Sequence, residues 1–208
     1  MKYAVIVVML LVLCVTAGCS YLDEGSPMLH PTKVSTPQPT PESRETTIEP
    51  SAMALQLSDL PDGYIIKERS DVVYTDLNSL ARDEGWGKGY FVSFYRMNVK
   101  NYDITQITQQ ISIYPLDRIR IIFDDSKTAL MSRANASISI TELPFPKTGD
   151  GDRTTAVRII DANDPYGLVT YTVIFTKKDV YEQIEMRGMT TDYEVLKNIA
   201  ATAAQKIR

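Results

Sequence analysis

Cysteine and histidine are almost absent from this chain of 208 residues. The two cysteines are Cys14 and Cys19, both near the N-terminus, and the single histidine is His30. Cys14 lies inside an apolar run, so a chain that is processed after this run keeps no disulfide and no free internal thiol. The sequence therefore argues against thiol catalysis, a Ser-His-Asp arrangement and a histidine-based zinc site in the folded part.

The first residues have the pattern of an export signal. Lys2 precedes an apolar run at 3–15, and the small residues at 16–18 come directly before Cys19. An apolar stretch of about 7–15 residues followed by small residues is typical of a secretory signal, whereas a membrane-spanning helix needs about 20 residues. Residues 1–19 are therefore predicted to be a signal peptide.

The ending Thr16-Ala17-Gly18-Cys19 resembles the lipobox of prokaryotic lipoproteins, those of archaea included. The resemblance implies transfer of a diacylglyceryl group to the sulfur of Cys19 and cleavage before it. A two-chain lipid anchors a protein without a spanning helix. We therefore expect a lipid-anchored protein on the outer side of the cell membrane. The alternatives are an ordinary cleaved signal and an uncleaved N-terminal anchor, and both also place the domain outside the cytoplasm.

Residues 20–51 are rich in proline, threonine and serine. Six prolines are spaced here too closely for a helix or a strand: Pro27, Pro31, Pro37, Pro39, Pro41 and Pro50. A segment with so few apolar residues buries too little surface to offset the entropy of ordering. It is predicted to be an extended, disordered tether. A proline-rich recognition motif or an O-glycosylated stretch at 36–41 is the alternative.

Residues 52–208 have the length of one domain. They contain 19 basic and 21 acidic side chains, which gives a net charge of −2, and the whole chain carries −4. Nucleic acid is not an expected partner, because binding to phosphates needs a clustered basic surface. No cofactor and no metal is predicted.

Alternating apolar residues and turn signals predict mostly strands within this domain. Five strands are predicted at 64–67, 90–95, 104–114, 137–143 and 153–161. A β-hairpin is predicted from 168 to 187, with its turn at Lys177-Lys178-Asp179. Helices are expected at 76–84, at 116–130, where a strand competes because of several β-branched residues, and at the C-terminus. The last helix is predicted to begin at Thr191, with Glu194 completing a capping box.

Strands that pair mainly with their sequence neighbours, with helices inserted, predict an α+β domain with a central antiparallel sheet flanked by helices. The order of elements and the opening Asp59-Leu60-Pro61-Asp62-Gly63-Tyr64 resemble the PsbP-like superfamily. That resemblance implies an assembly or stabilising factor of a membrane complex without a catalytic site. The tether and the acylated start depart from the photosynthetic members, so a photosystem role does not follow.

The run Gly85-Trp86-Gly87-Lys88-Gly89 is the most distinctive motif of the domain. It precedes a strand, whereas a phosphate-binding glycine loop connects a strand to a helix. A flexible turn is the simple interpretation. The functional alternative is that Trp86, which the glycines leave with little local packing, contacts a partner together with Tyr90.

Aspartates are grouped at two predicted turns. Asp150 and Asp152 form one group, and Asp161, Asn163 and Asp164 form the other. Either group offers oxygen ligands, but the spacing lacks the further ligands and the distal glutamate of a calcium loop. Solvated turns are therefore expected at both places.

Two further polar motifs lie in the middle of the domain. Asn135-Ala136-Ser137 is a formal N-glycosylation acceptor between a helix and a strand, where exposure is expected. Asp124-Asp125 is interpreted as part of the solvated face of the helix predicted at 116–130, since no further acid lies at a spacing that suits hydrolysis.

These patterns favour a non-catalytic binding or accessory module that is tethered to the membrane, with a protein of the cell envelope as a possible partner. The alternatives are an exported hydrolase that uses carboxylates or a Ser-Lys pair, and a purely structural envelope component. A deep pocket with two carboxylates would favour the hydrolase, and an aromatic patch around Trp86 would favour the binding module.

Overall fold

The computed structural model describes residues 46–98, 103–149 and 151–208. The predicted signal, the lipobox with Cys19, His30 and most of the predicted tether lie outside the described residues. Within the described part of the chain, no helix has the length and apolarity that crossing a membrane requires.

Seven strands and four α-helices form the described domain. The strands are β1 Ile65–Asp71, β2 Lys88–Asn98, β3 Asp103–Ile113, β4 Ile138–Leu143, β5 Thr154–Asp161, β6 Val169–Lys177 and β7 Val180–Gly188. The helices are α1 Pro50–Met53, α2 Ser79–Asp83, α3 Ile119–Met131 and α4 Tyr193–Lys206, and short 3₁₀ turns lie at Leu57–Asp59 and Tyr74–Asp76.

The strands form one antiparallel sheet in the order β1-β2-β3-β7-β6-β5-β4. The predicted α+β class with a central antiparallel sheet is thereby confirmed. The first three strands are sequence neighbours in the sheet, and so are the last four. The two groups meet where β3 pairs with β7, which is a pairing between distant parts of the sequence.

The two sides of the sheet pack differently, and we name each after its main helix. On the α4 face, helices α1 and α4 cover a large apolar core that includes Phe94, Ile107 and Phe175. Two polar side chains, Gln109 and Glu182, are completely buried on this side. On the α3 face, helix α3 covers a smaller apolar cluster over the β4–β7 part of the sheet.

Helix α3 occupies the segment where a strand competed in the sequence. Ile122, Phe123 and Leu130 are buried, and Asp124 and Lys127 form ion pairs near the surface. One buried stripe at helical spacing explains why the helix forms in spite of the β-branched residues.

Two predictions on helix ends are wrong. The last helix is capped by Asp192, whose carboxylate accepts a hydrogen bond from the Glu194 amide, and not by Thr191. The single helix expected at 76–84 is a 3₁₀ turn followed by the shorter α2. Asn78 accepts a hydrogen bond from the Ala81 amide and thereby starts α2 later than predicted.

The first described residues, 46–51, fall within the tether predicted at 20–51 and are packed against the domain. The Thr46 amide donates a hydrogen bond of 2.7 Å to the buried carboxylate of Asp179, and the Thr46 hydroxyl donates to the same group. Ile48 packs against the core of the α4 face, and Pro50 is buried as the first residue of α1. Residues 46–51 therefore belong to the domain.

Candidate functional site

Nine side chains of the three adjacent strands β2, β3 and β7 lie in register on the α3 face. Gln106 of β3 is paired with Tyr95 of β2 and with Arg187 of β7. Thr108 and Gln110, the following residues of β3 on the same face, are each paired with one residue of β2 and one of β7 in the same way. We call this set the polar face. It comprises Phe91, Ser93 and Tyr95 of β2, Gln106, Thr108 and Gln110 of β3, and Gln183, Glu185 and Arg187 of β7.

The polar face lies outside both apolar clusters of the described domain. Six of its side chains are half-buried, Gln110 and Arg187 are exposed, and Ser93 is buried. The alternate residues of the same strands, such as Ile107 and Ile184, belong to the core of the α4 face. The central strands are therefore amphipathic, and their second side presents hydrogen-bonding groups beside the apolar cluster that α3 covers.

Hydrogen bonds within and beside the polar face hold some of its side chains in place. Gln106 Nε2 donates to Ser93 Oγ at 3.0 Å, and the Tyr181 hydroxyl donates to Gln183 Oε1 at 3.2 Å. The amide of Gln110 and the Nε2 group of Gln183 take no part in these hydrogen bonds. The face therefore combines fixed side chains with groups that can bind a ligand.

Glu185 is the only carboxylate among the nine side chains, and Arg187 is the only cation. Burial raises the pKa of Glu185 above its usual value, while Arg133, Arg187 and the Thr172 hydroxyl act in the opposite direction. Arg187 is also held by Asp164, with Nη2 lying 3.1 Å from Oδ2. The charges of the polar face are thus largely compensated.

Trp86 closes one end of the polar face. A Cβ atom added at Gly89, two residues before Phe91 on the same side of β2, would lie 3.2 Å from Cζ2 and Nε1 of the indole. At the other end, Met97 and Ile104 stand opposite each other and are 50% and 52% exposed. The polar face thus extends from the Trp86 indole to the exposed apolar side chains of Met97 and Ile104.

Trp86 and Tyr90, the residues predicted to contact a partner, do not lie on one surface, and a binding role of either residue stays a prediction. Trp86 is half-buried against the apolar cluster of the α3 face, whereas Tyr90 packs against the core of the α4 face. Neighbouring strand residues point to opposite sides of a sheet, and the indole lies on the side of Gly89. The expectation that the glycines leave Trp86 with little packing is therefore wrong.

The glycine-rich run is a tight connection. The Trp86 amide donates to the Ala81 carbonyl at 3.1 Å, and the Gly87 amide donates to the Ile113 carbonyl at 2.9 Å. Gly85 has a φ of +75°, which a residue with a side chain rarely adopts. Because these two amides are already used by the protein, they do not form a cradle for a phosphate.

The aspartates of the predicted calcium-or-turn groups act as turn acceptors. Asp161 accepts from the Asn163 amide, Asp164 accepts from the Tyr166 amide, and Asp152 accepts from the Thr148 hydroxyl. Asp150 lies outside the described residues. Within 46–98, 103–149 and 151–208, no three acidic, histidine or cysteine side chains are grouped as metal ligands.

Asn135 is exposed between α3 and β4, where the glycosylation motif was placed. Its Oδ1 atom accepts from the amides of Ser137 and Ile138 at 2.9 and 3.0 Å. Its Nδ2 group, the one that a glycan would join, donates only to the Arg133 carbonyl at 3.3 Å. Modification of Asn135 remains a prediction.

The sequence interpretation missed the polar face, although part of the signal was present. Gln106, Thr108 and Gln110 alternate with apolar residues along β3, which marks one solvated side of a strand. The contribution of β7 was not visible, because the pairing of β3 with β7 joins residues far apart in the sequence.

The chain has the architecture of an α+β domain built on one seven-stranded antiparallel sheet. This fold is similar to that of the extracellular domain of PknH from Mycobacterium tuberculosis. The TM-score is 0.58 at 12% sequence identity, with 81% of this chain and 97% of that chain covered. No protein-family model and no curated protein matches the chain.

A weaker similarity is found to an uncharacterized protein of Mycobacterium smegmatis, the Rv0999 ortholog. Its TM-score is 0.36 at 9% identity, with 71% of this chain and 92% of that chain covered. The similarity to the PknH domain therefore carries the comparison, and at its low identity it concerns the fold alone.

Proposed function

We propose that this protein is a membrane-anchored extracytoplasmic lipoprotein whose domain binds a ligand of the cell envelope without catalysis, and that the polar face is the binding surface. The lipid on Cys19 holds the protein at the membrane. In this arrangement the polar face is presented to molecules outside the cytoplasm.

Two independent observations support the location. Thr16-Ala17-Gly18-Cys19 follows an apolar run of the length that export signals have. The fold is similar to that of a domain that is extracellular in PknH. The PsbP-like resemblance of the opening turn at 59–64 agrees with an accessory role in an envelope complex.

The observation that carries the binding role is the register of the polar face. Three strands place nine side chains in three rows, partly buried and outside both apolar clusters. A surface of polar side chains with restricted freedom loses less entropy on binding than an ordinary solvated surface. This arrangement suits recognition of a ligand.

The absence of catalysis is part of the proposal. Hydrolysis by paired carboxylates needs two acids in contrasting surroundings close to one bond. Among the nine side chains of the polar face only Glu185 is acidic, and it lies beside Arg133 and Arg187. This composition favours binding over a hydrolase.

The test uses the full-length protein, purified from membranes and immobilised, and envelope material separated into protein, glycan and lipid fractions. A double variant, Gln110→Ala with Gln183→Ala, removes two amides from the polar face. Gln205→Ala makes the same chemical change at an exposed position of α4 and is the control. We expect the wild type and the control to retain a component that the double variant does not. Equal retention by all three proteins, or none, would contradict the proposal.

A further inference from the structure

We propose that the ligand of the polar face is a neutral, polyhydroxylated carbohydrate. This inference rests on the proposed function, because it names the chemical class of ligand for the same surface. It follows from the hydrogen-bonding groups, the compensated charges, the aromatic rings and the position of the face within the sheet.

The hydrogen-bonding groups match hydroxyl groups. Each glutamine amide offers an acceptor oxygen and a donor nitrogen, and a hydroxyl group also donates and accepts. Gln110 of β3 offers a whole amide, and Gln183 of β7 offers its Nε2 group beside the bond from Tyr181. Gln106 offers its Oε1 atom, because its Nε2 group donates to the buried Ser93, and Thr108 adds a hydroxyl between them. A ligand with several neighbouring hydroxyls can satisfy these groups at the same time.

The charges argue against an anionic ligand. Arg187, the one cation of the polar face, is already paired with Asp164 and faces Glu185. Phosphates and nucleic acids need unpaired basic groups in a cluster, and the chain as a whole carries −4. A neutral ligand avoids the repulsion that an anion would meet here.

Two aromatic residues extend along one side of the face. Phe91 and Tyr95 flank Ser93 on β2, and neither belongs to an apolar cluster. An aromatic ring that is partly exposed and not used in a core can pack against the C–H groups of a sugar ring. The apolar and polar sides of a pyranose therefore both find partners.

The position within the sheet favours a carbohydrate over an extended peptide. Peptides that add to a sheet bind at an edge strand through backbone hydrogen bonds. Here β3 is paired with β2 and β7 on its two sides, so its backbone groups are used. Strands about 4.8 Å apart with same-side residues about 6.8 Å apart make a patch of roughly 10 by 14 Å, which suits a short oligosaccharide.

The test treats the captured envelope fraction in two ways before it meets the immobilised full-length protein. Periodate cleaves carbon–carbon bonds between neighbouring hydroxyls and oxidises both carbons to aldehydes, whereas a protease cleaves only peptides. We expect periodate to abolish capture and protease treatment to leave it unchanged. Gln110→Ala should lower the apparent affinity about tenfold, since one hydrogen bond is worth roughly 1–1.5 kcal/mol. Gln205→Ala should not change the affinity.

The outcomes separate the two proposals. Capture that needs the polar face but survives periodate and is lost with protease would overturn the carbohydrate inference and leave the binding role intact. Capture of a lipid that needs the polar face and survives both treatments would also overturn the carbohydrate inference and leave the binding role intact. Capture that does not depend on Gln110 and Gln183 would overturn both proposals.

Discussion

Glu182 of β7 and Gln109 of β3 are hydrogen-bonded inside the core of the α4 face, with Gln109 Nε2 lying 2.5 Å from Glu182 Oε1. Neither side chain has exposed surface. Gln109 Oε1 accepts from the Leu55 amide at 2.7 Å, so the pair also holds the chain after α1. Burial raises the pKa of Glu182 to about 8, while the bond from Gln109 and the charge of Lys206 oppose this rise.

The raised pKa of Glu182 predicts that alkaline pH destabilises the fold. The folded state keeps the proton up to about pH 8, whereas the unfolded chain releases it near the usual glutamate pKa of about 4.3. The contribution of this group to stability is therefore complete below about pH 4 and decreases as the pH rises towards 8. By pH 7 the loss amounts to about 4 kcal/mol.

Glu182→Gln tests this prediction, because it keeps an acceptor for Gln109 and removes the titration. We expect the free energy of unfolding of the variant, measured with urea, to exceed that of the wild type at pH 7–8 and to lose this advantage at about pH 4. Glu142→Gln, at a side chain that is 54% exposed on the edge strand β4, is the control. A difference between wild type and Glu182→Gln that does not change with pH would refute the linkage.

Trp86→Ala should destabilise the domain by about 2 kcal/mol. The indole is half-buried against the α3-face cluster and in contact with Gly89, and a fully buried aromatic costs roughly 3–5 kcal/mol. Chemical denaturation measures the loss. Tyr166→Ala, at a side chain that is 71% exposed, should change stability little. If Trp86→Ala were as stable as the wild type, the indole would not contribute to the packing of the α3 face.

Gly188→Ala should be strongly unfavourable, because β7 approaches β3 closely at this residue. An added Cβ would lie 2.7 Å from the Ile104 carbonyl oxygen and 3.0 Å from Thr105 Cα, both backbone atoms that cannot turn away. We expect a loss of about 2–3 kcal/mol. Gly87→Ala places its Cβ at 3.6 Å from the Ile113 carbonyl, an ordinary contact, and should be tolerated much better. Similar melting temperatures for the two variants would contradict this account.

Cys19→Ala should abolish lipid attachment and either release the domain from the membrane or leave an unprocessed precursor. The thiol of Cys19 is the acceptor that a lipobox requires, and alanine has none. Membrane fractionation and mass spectrometry of the mature N-terminus measure the effect. Cys14→Ala, inside the apolar run, is the control and should be processed normally. A wild-type protein that begins at an unmodified residue other than Cys19 would remove the lipoprotein proposal.

The fold could be predicted well where neighbouring residues determine structure. The alternation in β6 and β7 and the turn between them gave the hairpin, and the apolar stripe of α3 gave its helix. Helix starts were less certain, because Thr191, Asp192 and Asn78 are all acceptable caps by composition and only the packed geometry selects among them.

The candidate site could not be predicted, because it depends on which strands become neighbours. Trp86 attracted attention through its flanking glycines, but the side of the sheet on which it packs is decided by tertiary contacts. Glu185 and Arg187 look like the ordinary solvated residues of a hairpin until β3 is placed beside them. Glu182 was overlooked for the same reason, since its partner Gln109 lies on β3.

The pairing between β3 and β7 determines when the polar face can form. A chain that emerges N-terminus first, from a ribosome or a translocation channel, exposes β3 long before β7 arrives. Until then only β2 and β3, two of the three strands that form the polar face, are present. The free edge of β3 can meanwhile pair with a wrong strand. A ligand of the polar face would therefore bind only to copies of this protein whose synthesis and folding are complete. It would not bind to truncated or nascent chains.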